Sequence, residues 1–255
     1  RLIYSGLYTY DLEGKLVPDL AESMPTISED QKEYLVKIKG NAKFHNDRVV
    51  TADDIIYTIQ TIQNPAYKSP LRNEWQNTTV EKISDTEVKF KNSSVSAPFL
   101  NNLTIPILPE KIWGRIDPDT FQLSELNLKP IGSGPYQIRE INKLPSGDVQ
   151  KITLESNKNY VGGRAFIDRI VISFYDSLEE VARGYKSGEI SGFAYAPFTQ
   201  VLGTEEQIAL GSQENIPLSQ YQALFYNTNS KLLSDKGLRK ALSFAIPKQI
   251  IIESV

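Results

Sequence analysis

Val50-Thr51-Ala52-Asp53-Asp54-Ile55-Ile56-Tyr57-Thr58-Ile59-Gln60-Thr61-Ile62-Gln63-Asn64-Pro65 decides how the first half of the chain is read. Ile55, Ile56, Ile59 and Ile62 recur at helical spacing, which makes one helix face apolar. Thr51 is the N-cap candidate, and Asp54 three residues on makes an acidic version of the capping box. Asn64-Pro65 ends the pattern, because a residue before proline is pushed out of helical backbone. Upstream, Tyr34, Val36 and Ile38 alternate with Glu33, Lys37 and Lys39, the period of a half-buried strand. Gly40-Asn41 turns that strand toward Lys43-Phe44. Downstream, Val88-Lys89-Phe90-Lys91 alternates in the same way after an Asp85-Thr86 turn and is its natural partner. Tyr34, Val36, Ile55, Ile59, Val88 and Phe90 are therefore the expected core.

Working outward, Gly6-Leu7-Tyr8-Thr9-Tyr10 reads as an extended piece entering a turn at Glu13-Gly14, with glycine supplying the positive φ. Pro18-Asp19-Leu20-Ala21-Glu22-Ser23 reads as a helical turn stopped by Pro25. In the second half, residues 151–154 and 169–174 are strand-like. Ser177-Leu178-Glu179-Glu180 opens a helix with Leu178, Val181, Ala182 and Tyr185 inward, stopped at Gly188. Residues 190–195 and 221–226 read as further strands. Strand, helix and strand in this order suggest a crossover unit in a mixed sheet, so the class is α/β with α+β mixed sheets. Ser234-Asp235 starts a helix with Leu238, Ala241, Leu242 and Ala245 on one face, and Pro247 starts another. The first residues carry no initiator methionine and no basic signal region, and the last stop inside an apolar pattern, so both ends are expected to be cut.

Composition narrows the function classes. The 255 residues carry a formal net charge of −3, which offers no basic surface for nucleic acid. The longest apolar runs, such as Ile250-Ile251-Ile252, are far too short to span a bilayer. With no cysteine, disulfides, thiolate metal sites and a cysteine nucleophile are excluded from this chain. With one histidine, a His-rich metal site or a Ser-His-Asp triad would have to use His45.

Each candidate for chemistry has a plainer reading. Gly132-Ser133-Gly134-Pro135-Tyr136 lacks the Gly-Lys-Ser/Thr ending of a phosphate loop, and Pro135 removes an amide donor. It reads as a tight turn feeding a strand. Asp53-Asp54 and Glu179-Glu180 are adjacent, so they point apart on a helix and instead serve first helical turns. His45 sits in the polar turn Phe44-His45-Asn46-Asp47 and reads as a solvated or hydrogen-bonded turn residue, not a general base. No serine sits in a Gly-x-Ser-x-Gly elbow. No catalytic residue, metal site or cofactor is expected. Tyr175, Tyr195, Tyr221 and Tyr226 end predicted strands, and with Trp75 they suit a cleft lining as well as core or rim packing.

Taken in order, these segments resemble the family 5 extracellular solute-binding proteins, the group with oligopeptide-, dipeptide- and nickel-binding members. The resemblance rests on Leu2-Ile3-Tyr4-Ser5-Gly6-Leu7 followed by Val17-Pro18-Asp19-Leu20-Ala21-Glu22-Ser23, and on the strand ending Ala42-Lys43-Phe44 before Thr51-Ala52-Asp53-Asp54. It continues in Gly132 to Tyr136, in Asn157-Lys158-Asn159-Tyr160, and in Ser187-Gly188-Glu189-Ile190, where Ser191 replaces the usual Asp. Asn227-Thr228 and Leu238-Arg239-Lys240-Ala241-Leu242-Ser243-Phe244-Ala245-Ile246 complete it.

The resemblance implies a periplasmic-binding-protein type II fold, a two-lobed clamp that closes over its ligand. Residues 1–107 would be the extra domain of the peptide-binding group, 108–222 the central part of lobe one, and 223–255 the crossing into lobe two. The first strand of lobe one, most of lobe two and the charged anchors for ligand termini would lie outside this chain. The implied function is capture of an oligopeptide outside the cytoplasmic membrane for an ABC importer, without catalysis. A nickel chelate, an oligosaccharide or an opine is the alternative ligand, and sensing without transport the alternative role. The implied ligand-binding residues are Tyr195, Ala196 and Pro197, then Trp75 and Asn102, with Tyr221 and Tyr226 at the lobe crossing. The implied partners are the solute and ABC permease subunits, not nucleic acid. Membrane attachment would come only through an N-terminal lipid anchor in a Gram-positive host.

Overall fold

The structure is a computed structural model describing residues 1–194 and 223–253. The chain divides into two compact units, residues 1–196 and 197–255.

The first unit is organised around the helix read first in the sequence. Helix α1, Ala52–Gln63, runs to Asn64, whose extended backbone ends it before Pro65 as expected. Its buried side chains include Ile55, Ile59 and Ile62. They pack against a four-stranded antiparallel sheet of β3 (Thr26–Ile27), β4 (Glu33–Lys37), β5 (Thr78–Ser84) and β6 (Glu87–Asn92), in the order β3-β4-β6-β5. Tyr34 stands opposite Phe90 and Val36 opposite Val88, so the expected pairing and core are both present. Burying each such apolar side chain is worth roughly 1.5–3 kcal/mol. The solvent-side residues of the same strands pair by charge, Lys91 with Glu33 at 3.1 Å and Lys89 with Glu81 at 3.2 Å. Exposed pairs of this kind add little stability.

Strand β1 (Tyr8–Tyr10) enters the expected turn, with Gly14 at φ +77°, and pairs beyond it with β2 (Leu16–Pro18). Residues 18–23, in contrast, are not helical. Glu22 donates its N–H to the Lys37 carbonyl and Lys39 to that of Leu20, both at 2.9 Å, so neighbouring strands have captured this backbone.

A second antiparallel sheet holds β7 (Tyr136–Lys143), β8 (Val149–Ser156) and β9 (Arg169–Ser173) in that order. Helix α2, Leu178–Lys186, follows, with the Ser177 hydroxyl accepting the Glu180 N–H at 3.2 Å and Gly188 stopping it at φ +76°. The strand expected over 190–195 does not form over residues 190–194, and Tyr195 lies outside the described residues. Of the strand expected over 221–226, residues 223–226 are likewise not in a strand, and residues 221–222 lie outside the described residues. All strand pairs in the described sheets are antiparallel.

The boundary expected at 107/108 falls inside the first unit, where the N-terminal segment bonds to both sides of it. Ile107 donates to the Ser5 carbonyl at 2.9 Å and Gly134 to that of Ile3 at 2.8 Å. In the second unit, the helix Lys236–Ala245 starts at Asp235, whose carboxylate accepts the Leu238 N–H at 2.7 Å, and Lys248–Glu253 follows Pro247.

Candidate functional site

The glycine turn that the sequence singled out is the centre of a polar seam. Gly134 and Tyr136 donate their N–H groups to the Ile3 and Leu2 carbonyls, both at 2.8 Å. A β-carbon on Gly132 would lie 1.8 Å from the Ile3 carbonyl oxygen, and one on Gly134 would lie 2.6 Å from that of Leu2. These glycines are demanded by close backbone approach. Gly132→Ala is accordingly expected to lower stability by about 1–3 kcal/mol, the usual cost of overpacking, read from the urea midpoint.

His45 grips this turn from the other side. Its backbone N–H donates to the Gly132 carbonyl at 2.7 Å. Its Nδ1 accepts the Gly132 N–H at 3.2 Å, and its Nε2 lies 3.2 Å from the Gly134 carbonyl. A carbonyl only accepts, so the proton sits on Nε2 and the ring is neutral. Burial lowers the imidazole pKa, only partly opposed by the bond to Gly134. Both ring nitrogens are occupied, which leaves neither free as a general base.

Asn157 adds a second donor to the Gly134 carbonyl at 3.0 Å, and Asn159 Nδ2 reaches Asp47 at 3.0 Å. Tyr160 donates its hydroxyl to the buried Asp19 carboxylate at 2.8 Å. Burial pushes the Asp19 pKa up, against hydrogen bonds from Tyr160 and Ser5 and the charges of Lys39 and Arg1. Burial, and then the Asp19 charge, also push the Tyr160 phenol up.

Two clefts border His45, of about 660 and 620 Å³, and share Gln137 and Arg139. The first is faced by Leu128, Ile131, Ile138 and Ile141; the second is mostly polar, with Asn157 and Asn159 in its wall. Such walls offer apolar contact and hydrogen bonds without an activated nucleophile. Among the described residues, no group of three or more His, Cys, Asp or Glu lies close enough to hold a metal ion.

The residues expected to bind ligand are placed unevenly. Trp75 is 0% exposed and packs in the core edge-on to Phe99 and tilted against Phe90, with ring centroids 5.8 and 6.2 Å apart. A ring so enclosed has no face to offer a solute, so Trp75 is a core residue and not a cleft residue. Asn102 ends the short helix Phe99–Asn102, is partly buried, and accepts the Ile105 N–H on its carbonyl at 3.3 Å. Phe99 in that helix is what Trp75 touches, so those two positions are neighbours through the core. Tyr226, in the second unit, is partly buried with its hydroxyl 3.1 Å from Ser243 Oγ. Tyr195, Ala196, Pro197 and Tyr221 lie outside the described residues. Sequence reasoning quoted Asp19, Asn157 and Tyr160 only within longer motifs and gave them no role, because their partners are distant in the chain; the Gly132-Ser133-Gly134 segment was legible as a tight turn but not as a close backbone approach.

Residues 15–255 match the family described as bacterial extracellular solute-binding proteins, family 5 Middle. The oligopeptide-binding protein AppA of Bacillus subtilis is 30% identical over 259 aligned residues, taking in 100% of this chain and 46% of that protein. The dipeptide-binding protein of Escherichia coli K12 is 25% identical, over 94% of this chain and 48% of its own length. The solved structure of Bacillus subtilis AppA in complex with a nonapeptide matches with a TM-score of 0.67 at 30% identity, covering 74% of this chain and 37% of that one. NikZ from Campylobacter jejuni, in complex with Ni(L-His), matches with a TM-score of 0.79 over 99% of this chain and 49% of its own. At 24% identity that second likeness is one of fold. This chain spans about half the length of the relatives it matches. The fold is that of the type II periplasmic binding proteins of the peptide-binding group.

Proposed function

The chain belongs to the bacterial extracellular solute-binding proteins of family 5, and we propose that it serves an ABC importer by capturing an oligopeptide outside the cytoplasmic membrane. The observation that carries the reading is the match to an oligopeptide-binding protein along the whole of this chain at 30% identity. A family of binding proteins, and a seam whose only imidazole is held by backbone at both nitrogens, support binding without catalysis. Tyr195, Ala196 and Pro197 are the first proposed ligand contacts, through strand-like hydrogen bonds to an extended peptide, and Asn102, Tyr221 and Tyr226 are proposed as further contacts. The proposed partners are the permease subunits of the importer. A periplasmic or Gram-positive surface location, with a lipid anchor in the latter case, follows from the same reading. Among the described residues no helix is long and apolar enough to cross a membrane.

Native mass spectrometry of the full-length protein, purified without denaturation, tests the ligand class. Co-purifying peptide masses are expected; a nickel chelate, oligosaccharide or opine mass instead would replace the peptide reading. In calorimetry with a bound peptide so identified, Tyr195→Ala is expected to weaken binding by about 1–3 kcal/mol, as for a truncated aromatic anchor. Unchanged affinity would remove Tyr195 from the site.

A further inference from the structure

His45 joins the turn at residues 44–47 to the Gly132-Ser133-Gly134 loop through three hydrogen bonds, two of them from its ring. The ring bonds differ in how they respond to a proton. Nε2–H donates to the Gly134 carbonyl in both the neutral and the charged ring. Nδ1 accepts the Gly132 N–H only when neutral; once protonated it sets a donor against a donor. We propose that His45 is a proton-operated latch: protonation at Nδ1 releases the Gly132 amide and loosens that end of the loop, while the Gly134 end stays held.

The charged groups in the walls around the ring are mostly paired with one another. On its own turn, Asp47 is tied to Asn159, and the Arg48 guanidinium is taken by Asp54 and the face of the Phe44 ring. From the segment before the glycine turn, Glu125 is paired with Lys129 at 3.5 Å. From β7 and β8, Arg139 is paired with Glu155 at 3.6 Å, while Glu140 is bonded to Asn142. Arg164 is paired with Asp168 in the loop before β9. The cations in the same cleft walls without a carboxylate partner among the described residues are Lys143, Lys158 and Arg169. Burial of the ring favours its neutral, latched form.

The sign of the effect follows. The folded-state pKa lies below the ordinary histidine value of about 6.5, so the latch is fully engaged above that value. It is lost as pH falls through the folded value. Asp19, in the same seam, has a raised pKa and is stabilising in the opposite direction, gaining as pH falls. A global stability curve therefore mixes the two, and the test has to be local. The inference rests on this chain's own geometry and does not depend on which solute is bound.

Amide hydrogen exchange of the full chain, corrected for intrinsic rates, is to be followed from pH 7.5 to 5.0. Protection at Gly132 is expected to fall about tenfold, the loss of one hydrogen bond, while Tyr136, which donates to the Leu2 carbonyl, keeps its protection. In His45→Gln the side-chain oxygen replaces Nδ1 and the amide nitrogen replaces Nε2, without titration, so the fall at Gly132 should vanish. Imidazole nitrogen NMR on the unaltered protein supplies a readout that needs no variant. It should report Nε2–H at neutral pH and a titration midpoint below about 6.5. A proton on Nδ1 at pH 7.5, a midpoint at or above about 6.5, an equal loss at Tyr136, or a fall at Gly132 that persists in His45→Gln would each overturn the latch.

Discussion

Asp54→Ala is expected to destabilise the first unit by about 3–5 kcal/mol, the cost of removing one partner from a buried ion pair. The carboxylate is fully buried and accepts from four donors. Oδ1 takes the Arg48 guanidinium and the Glu110 N–H at 2.9 Å; Oδ2 takes the Thr51 N–H at 2.9 Å and its hydroxyl at 3.1 Å. It thus caps α1, neutralises Arg48 and pins the backbone at Glu110. Alanine leaves a buried guanidinium edge and two backbone donors without partners, each costly in an interior. The Asp54 carbonyl also accepts from Thr58 Oγ1, which in turn accepts the Leu108 N–H at 2.9 Å, so the damage should spread to residue 108. Chemical denaturation followed by far-UV circular dichroism checks the figure. Asp53→Ala is the internal control: Asp53 is exposed and, among the described residues, its ion pair is with exposed Lys82, so a loss comparable to that of Asp54→Ala would refute the account.

Trp75→Ala is expected to cost about 3–5 kcal/mol as well, for a different reason. The indole fills the space between Phe90 of β6 and Phe99, and its removal leaves a cavity that the strands cannot collapse into. Trp75→Phe should recover most of the loss. The phenyl ring keeps the aromatic contacts, and the indole N–H it removes is buried without a partner among the described residues. The measurement pairs a denaturation midpoint with peptide titration of the full-length protein. Retained affinity in a destabilised Trp75→Phe protein is the expected pattern. A stable Trp75→Ala protein with lost affinity would return Trp75 to the ligand face.

The contrast between these two residues separates what was legible from what was not. Trp75 lies in a polar stretch, Asn73-Glu74-Trp75-Gln76-Asn77, with no local period to mark it as inward. Its burial follows from Gln63, whose side-chain amide donates to the Trp75 carbonyl at 2.8 Å and the Thr78 carbonyl at 2.6 Å, drawing the segment under α1. Asp54 was legible as a helix-start charge, but not as the hub it becomes once Arg48 and residue 110 arrive. Strand β5, Thr78–Ser84, was unread for a similar reason: its exposed residues include Glu81, Lys82 and Ile83, and it is specified by pairing with β6.

From sequence alone came everything set by short-range periodicity and special backbone. Helix α1 and its stop at Asn64-Pro65, the alternation that pairs Tyr34 with Phe90, the turns at Gly14 and Gly188, and the ordered motifs that identify the family all belong to this class. These features need only neighbours within a turn of helix or a pleat of strand. Only the tertiary structure decided the seam. His45 meets its ring partners 87 and 89 residues away, and Tyr160 meets Asp19 across 141 residues. No local preference encodes such bonds. They form because the strands and α1 bring those backbones together out of water, where each buried donor and acceptor must find whatever partner the fold has placed beside it.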